Sequence, residues 1–224
     1  MGFKMAIIFW CEFPNEMNFS KLNNIIKFNT TVYFAVKSLK DFNEIKKKIK
    51  NKNIKAGAWP TLEKKHGYWF SGFILEENIR QLDQFRGFDV KIDIEPPIYN
   101  GKHSLFKDFF WLLYFIVNKG KNNELLKKTI SSVDFKPIIS GFLLPGFLRA
   151  RYGDDINKGI KNYMCYTTFI PRILRPCLRL FLSTIIKKAS KKNFYTIGLA
   201  NHGIFGNEPE YENINEFKKD IEML

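Results

Sequence analysis

Short apolar runs separated by amphipathic helical stretches recur along this chain, and their spacing predicts alternating β and α elements. Met5–Trp10 is the first expected strand, followed by a helix over Phe19–Phe28 entered at Asn18. The β-branched and aromatic run Thr31–Val36 comes next. After it, Leu39, Phe42, Ile45 and Ile49 fall at steps of three, three and four along a helix over Leu39–Ile49. Ile54–Trp59 is a third strand, Glu76–Phe85 a helix with Ile79, Leu82 and Phe85 inward, and Phe88–Ile94 a fourth strand. A helical insertion over Ser104–Val117 and Asn123–Ser131, split at Lys119-Gly120-Lys121, separates it from a fifth strand at Pro137–Leu143. Tyr163–Thr168 is a sixth strand, Pro176–Ala189 a helix, Phe194–Ala200 a seventh strand, and Ile214–Leu224 begins a last helix.

Near-continuous apolar strands alternating with helices imply a parallel sheet covered by helices. Seven such units favour one α/β domain over residues 1–224, a (β/α) TIM-type barrel shortened by its missing eighth strand. A second copy of the chain is the expected cover for the open barrel edge that this leaves, making a homo-oligomer.

In such barrels the site lies at the carboxyl ends of the strands. Strand one runs into Glu12, strand three into Trp59 and then Tyr68 and Trp69, strand six into Tyr166, and strand seven into His202. Strand four ends in Asp93-Ile94-Glu95-Pro96-Pro97. Alternation puts Asp93 and Glu95 on one face with their Cα atoms ~6.6 Å apart. Like charges that close push their pKa values apart, which suits acid/base chemistry. Glycoside hydrolysis needs one protonated carboxyl for the leaving oxygen and a second to stabilise or attack the sugar centre. In substrate-assisted variants an Asp instead orients an amide on the sugar and the Glu is the acid. Glu95 and Asp93 are therefore the candidate catalytic pair, and the plain alternative is a structural ion pair of Glu95 with Lys91 or with an arginine across the barrel. Trp59, Tyr68 and Trp69 offer flat faces for a sugar ring. Tyr166 and His202 are candidate polar contacts, and Glu12 and Glu208 are reserve carboxylates.

Several stretches resemble a group of uncharacterised (β/α)-barrel proteins of glycoside-hydrolase-like architecture. They are Ala58-Trp59-Pro60, Gly67-Tyr68-Trp69-Phe70-Ser71-Gly72-Phe73, Asp93-Ile94-Glu95-Pro96-Pro97 and Gly206-Asn207-Glu208-Pro209-Glu210-Tyr211. The resemblance implies a barrel more than any one reaction. The Asp-x-Glu ending is also similar to the chitinase-type strand, but only the last two acids match. Phe88 and Lys91 stand where earlier acids of that pattern would be.

The formal net charge of +14 invites an anionic partner. Dispersed lysines such as Lys46, Lys47, Lys48, Lys50, Lys52 and Lys55 read instead as solvated surface, so nucleic acid is not expected. One stretch is more specific. Arg172, Arg175 and Arg179, then Lys187, Lys188, Lys191 and Lys192, interleave with Ile173, Leu174, Leu178, Leu180, Phe181 and Leu182. Such a segment can lie on an anionic membrane, which makes a non-enzymatic surface-binding protein the competing function. Its plain alternative is a helix apolar inside and basic outside.

Several chemistries lack support. There is no Walker A, GxGxxG, GxSxG or HxxxH pattern, so no cofactor or metal is expected. Cys11, Cys165 and Cys177 have no paired spacing and read as reduced core thiols. His66 sits in a Lys-rich turn, and His103 is expected to help start the inserted helix. The six-residue apolar run after Lys4 is shorter than a secretory core, and Phe109–Val117 is far below the ~20 residues that span a bilayer. A cytoplasmic carbohydrate-active barrel is the resulting expectation.

Overall fold

A computed structural model describes residues 7–98, 114–115, 117–132, 137–188, 192–198 and 209–224. Seven strands occur among them: β1 (Ile8–Cys11), β2 (Thr30–Val36), β3 (Ile54–Pro60), β4 (Lys91–Asp93), β5 (Ile138–Phe142), β6 (Ile160–Met164) and β7 (Phe194–Thr196). The helices are α1 (Phe19–Ile25), α2 (Leu39–Lys48), α3 (Glu76–Arg80), α4 (Asn123–Ser131), α5 (Gly146–Tyr152), α6 (Arg175–Lys188) and α7 (Ile214–Met223). The expected helix over Ser104–Val117 lies almost wholly outside the described residues.

The strands alternate with helices as the pattern predicts, but they do not form the expected TIM-type barrel. They make two sheets, β1-β2-β3 and β4-β5-β6-β7. The ladders β1–β2, β2–β3 and β6–β7 are parallel. Local pairing shows why the ladder breaks after β3. That strand meets the β4 region at a single bridge, Ala58 with Val90, where the Ala58 amide donates to the Asp89 carbonyl at 2.9 Å. Farther along, Phe70 from the connecting segment takes the place beside Ile94. Its amide donates to the Asp93 carbonyl at 3.2 Å, and its carbonyl accepts from the Glu95 amide at 3.1 Å. Backbone groups used this way are not free to extend a β3–β4 ladder.

The chain forms two compact units: Met1–Ile139 with Pro145–Gly159, and Ser140–Leu144 with Ile160–Leu224. In the first, Val32, Phe34, Ala58, Ile92 and Ile94 join Phe42 and Ile45 of α2 and Ile79, Leu82 and Phe85 in one apolar core. Helix α2 is started by Ser38, whose hydroxyl accepts from the Asp41 amide at 3.1 Å, leaving Phe42 and Ile45 buried on the strand side. Residues 76–85 are not one helix. The α-helical α3 gives way to a 3₁₀ segment over Gln81–Phe85, which still turns Leu82 and Phe85 inward.

Helix α5, absent from the sequence expectation, ends at Gly153 with φ 97°. Only glycine adopts that conformation cheaply, and it turns the following Asp154 back inward, where its amide donates to the Arg149 carbonyl at 3.0 Å. Asn123 anchors the same region. Its side-chain amide donates to the Ala150 and Arg151 carbonyls at 2.9 and 3.2 Å, and a side chain at Gly72 or Gly120 would collide with it.

The second unit has a smaller core of Cys165, Leu182 and Met223. The sixth strand is shorter and earlier than expected, since Thr167–Phe169 form a 3₁₀ turn. Among the described residues no helix is long and apolar enough to cross a membrane.

Candidate functional site

The β-sheet register builds a single polar face in the first unit. Trp10 pairs with Tyr33, Tyr33 with Gly57 and Ala35 with Trp59, so these positions share one side of the β1–β3 sheet. Gly57 is needed because a side chain there would lie 2.5 Å from the Tyr33 ring carbons. On β4 and its extension, Lys91, Asp93 and Glu95 share a face by the same alternation, while Ile92 and Ile94 enter the apolar core.

All three charged residues are nearly inaccessible, at 4 %, 3 % and 8 % exposure. The Lys91 ammonium lies 2.6 Å from both Asp93 oxygens, with the Oδ2 contact in hydrogen-bonding geometry. It also sits 3.5 Å from the Trp59 ring centroid and 5.0 Å from that of Trp10. Aromatic faces attract a desolvated cation, so the two indoles and Asp93 together hold the charge of a buried lysine. Desolvation still dominates and lowers the Lys91 pKa, against the raising pull of Asp93, Glu95 and Glu12.

Glu95 receives no comparable contact. Among the described residues no hydrogen bond reaches its carboxylate. Burial first, then the Asp93 charge, push its pKa well above the ordinary value, and Lys91 only partly opposes this. The ion pair considered as the plain alternative for Glu95 thus forms at Asp93 instead. One carboxyl is paired with a lysine, and its neighbour two residues on is biased to hold a proton.

The expected aromatic platform is present but closed in. Trp59, Tyr68 and Trp69 are all buried, at 5 %, 7 % and 6 % exposure. Trp69 stacks on Trp59 with centroids 5.8 Å apart and rings 5° from parallel, and Tyr68 meets Trp69 edge-on at 4.3 Å. The Tyr68 hydroxyl donates to Glu12 at 3.2 Å, which brings Glu12 into the same charge cluster. Tyr68 has φ 58°, a strained conformation for a non-glycine residue at the turn that carries these aromatics.

Sequence reasoning missed Trp10, Tyr152 and Asp154. Tyr152 is buried with no hydrogen-bond partner for its hydroxyl among the described residues, and Trp59 Nε1 is in the same state. Burial, then the Asp154 and Glu95 charges, raise the Tyr152 pKa. Asp154, 1 % exposed, lies 3.5 Å from Arg149. The polar run Arg151-Tyr152-Gly153-Asp154-Asp155 at the end of a short helix was the available signal. Two buried donors awaiting partners beside two acids form a constellation that a hydroxyl-rich ligand could satisfy.

The other candidates fall elsewhere. Tyr166 belongs to the second unit, where its ring meets Phe169 at 5.4 Å. His202 and Glu208 lie outside the described residues, as does His103. Cys11 and Cys165 are buried thiols, pushed up by desolvation to about 11 and about 12. Cys177 is exposed rather than in a core. No cluster of three or more His, Cys, Asp or Glu is placed to hold a metal ion among the described residues. A surface cleft of about 530 Å³ lined by Lys46, Lys50, Lys52, Lys55 and Asp89 sits at the amino end of β3, away from Asp93 and Glu95. Comparison of the chain with known protein families gives no match, and neither does comparison with curated proteins.

Proposed function

We propose that this chain is a carbohydrate-active protein of glycoside-hydrolase type, with Glu95 as proton donor and Asp93 as its charged partner. The observation that carries the reading is the division of labour between two buried carboxyls on one strand face. Asp93 contacts Lys91 at 2.6 Å, whereas Glu95 has no cation at that range among the described residues and a raised pKa. A protonated Glu95 can donate to a leaving oxygen as the bond to it breaks. An ionised Asp93 can stabilise the positive charge that develops, or orient a substrate group that attacks. Trp59 Nε1 and the Tyr152 hydroxyl are donors for sugar oxygens, and the aromatic wall keeps the local dielectric low, which strengthens each electrostatic contact.

The test is Glu95→Gln, assayed with the parent protein on a panel of aryl and natural glycosides, with binding measured in parallel. Hydrolysis by the parent should disappear in the variant while binding persists. The parent's rate should fall as pH rises through the elevated Glu95 pKa, because only the protonated form donates. A parent that binds sugars but hydrolyses none of the panel, or a variant as active as the parent, refutes the catalytic assignment.

A further inference from the structure

On α6, Leu182 is buried and Leu178 and Ile186 pack against the core, as a helix apolar inside requires, but two of its arginines lie inside as well. Arg175 and Arg179, one turn apart, point inward rather than out. Arg179 donates through Nε to Asp220 at 2.6 Å and through Nη2 to Glu216 at 2.8 Å. Arg175, 6 % exposed, lies 3.4 Å from Glu212 and 3.9 Å from Glu216. Asp220 is itself fully buried and also accepts from the hydroxyls of Thr167 and Tyr211, both at 2.6 Å. These contacts tie α6 to α7 through charge and fix its rotation. A roll that buried the other face would break four ion pairs.

What this rotation leaves outside is apolar. Ile173 is 84 % exposed, Leu180 71 % and Phe181 60 %, with Leu174 and Phe169 close behind. On α6 the exposed positions Cys177, Leu180, Phe181 and Thr184 recur at helical spacing along one stripe, which ends in exposed Lys187 and Lys188. Neither lysine meets an acid among the described residues. The wider chain shares this bias: between Asp155 and Glu208 it holds no acidic residue and nine basic ones. An apolar stripe that ends in two exposed lysines fits a surface that is greasy underneath and negative on top.

We propose that this face, centred on Leu180 and Phe181 and flanked by Lys187 and Lys188, docks onto an anionic phospholipid bilayer. The helix has 14 residues and lies in the interface rather than crossing it. Leu180 and Phe181 enter the headgroup boundary, and the two lysines meet phosphate and carboxylate groups of the lipids. This docking is independent of the acid pair of the first unit, which shares no residue with it.

The purified chain is tested by co-sedimentation with vesicles of phosphatidylcholine alone and of phosphatidylcholine with phosphatidylserine. It should partition onto the anionic vesicles and release as salt rises. Leu180→Ser/Phe181→Ser should weaken partition about tenfold or more for each side chain removed. Lys187→Glu/Lys188→Glu should weaken it about tenfold or more in total. All four positions are exposed, and circular dichroism will report whether each variant keeps the fold. Cys177 lies on the stripe and is the one exposed thiol among the three cysteines. An environment-sensitive fluorophore placed there should shift to the blue on anionic vesicles only.

Three results overturn the proposal. One is no binding to anionic vesicles at low salt. Another is binding that the lysine variant abolishes but the serine variant leaves intact, with equal binding to a model RNA, since that is polyanion attraction alone. The third is a vesicle-free dimer that the serine variant dissolves, since a second copy would then cover the face.

Discussion

Replacing Lys91 by Met tests whether the site's electrostatics are as the geometry implies. Methionine keeps the length of the stem against Trp59 and Trp10 but removes the charge that faces Asp93. The side chains of the pair are only 5 % and 4 % exposed, so water cannot replace the lost partner. Removing one member of such a pair costs about 3–5 kcal/mol, because a buried charge remains uncompensated. For a chain of this length that corresponds to a fall in melting temperature of about 6–20 °C. Removing both charges, in Lys91→Met/Asp93→Asn, should return stability to within about 1 kcal/mol of the parent, since neither ion then needs a partner. Three of the four tryptophans, Trp10, Trp59 and Trp69, line or adjoin this cluster, so thermal unfolding followed by indole emission reads the affected region directly. A double-mutant cycle should give a coupling of about 5 kcal/mol or more, the two single losses less the small loss of the double variant. A loss below about 1 kcal/mol in Lys91→Met, or strictly additive single losses, would refute a buried, mutually dependent pair.

The pH dependence of the Glu95→Gln variant follows from the raised Glu95 pKa. An acid that binds its proton more tightly folded than unfolded favours the native state fully below its unfolded value of about 4.3, and that support is lost as pH rises toward the folded value. Glu95→Gln removes this liability, so denaturant unfolding should show it more stable than the parent at about pH 7, with the gain shrinking toward about pH 4. A gain that grows on acidification would invert the assigned shift. In the second unit, Asp220→Ala removes one of the two acids that hold Arg179 and leaves the Thr167 and Tyr211 hydroxyls without their acceptor, at a cost of about 3–5 kcal/mol in urea unfolding. Retention of parental stability would show the network is not formed. A thiol reagent should modify Cys177 alone in the native protein, and Cys11 and Cys165 only after denaturation.

The alternation of strands and helices was legible because buried parallel strands such as Thr30–Val36 and Ile54–Pro60 are near-continuous apolar and β-branched runs. Which strand pairs with which was not. The ladder breaks where Phe70 pairs with Ile94, and one residue making two backbone hydrogen bonds leaves no periodic trace. Helix α5 escaped notice because seven residues opening on Pro145-Gly146 are too short to show a repeat. At the site, alternation revealed that Asp93 and Glu95 share a face, and Lys91 is on it by the same count. Its choice of Asp93 over Glu95 is decided by separations that residue spacing does not resolve. The sequence leaves the rotation of α6 open between a membrane-facing and a core-facing stripe, and hydropathy alone would turn Leu180 and Phe181 inside. Arg175 and Arg179 four apart, facing Glu216 and Asp220 four apart, held the opposite message in plain sequence.

The pairing of Phe70 with Ile94 also has a mechanical meaning. Trp69 and Tyr68 are joined to the acid-bearing strand by the Phe70 amide and carbonyl, and the Ile98 amide donates to the Gly67 carbonyl at 2.8 Å. The aromatic segment and the end of β4 are therefore one clasped piece of backbone. An opening movement of Tyr68 and Trp69 would have to drag Asp93 and Glu95 along or tear that clasp. Under the proposed function, a sugar would have to meet the acids with this piece moving as a whole or with the clasp torn.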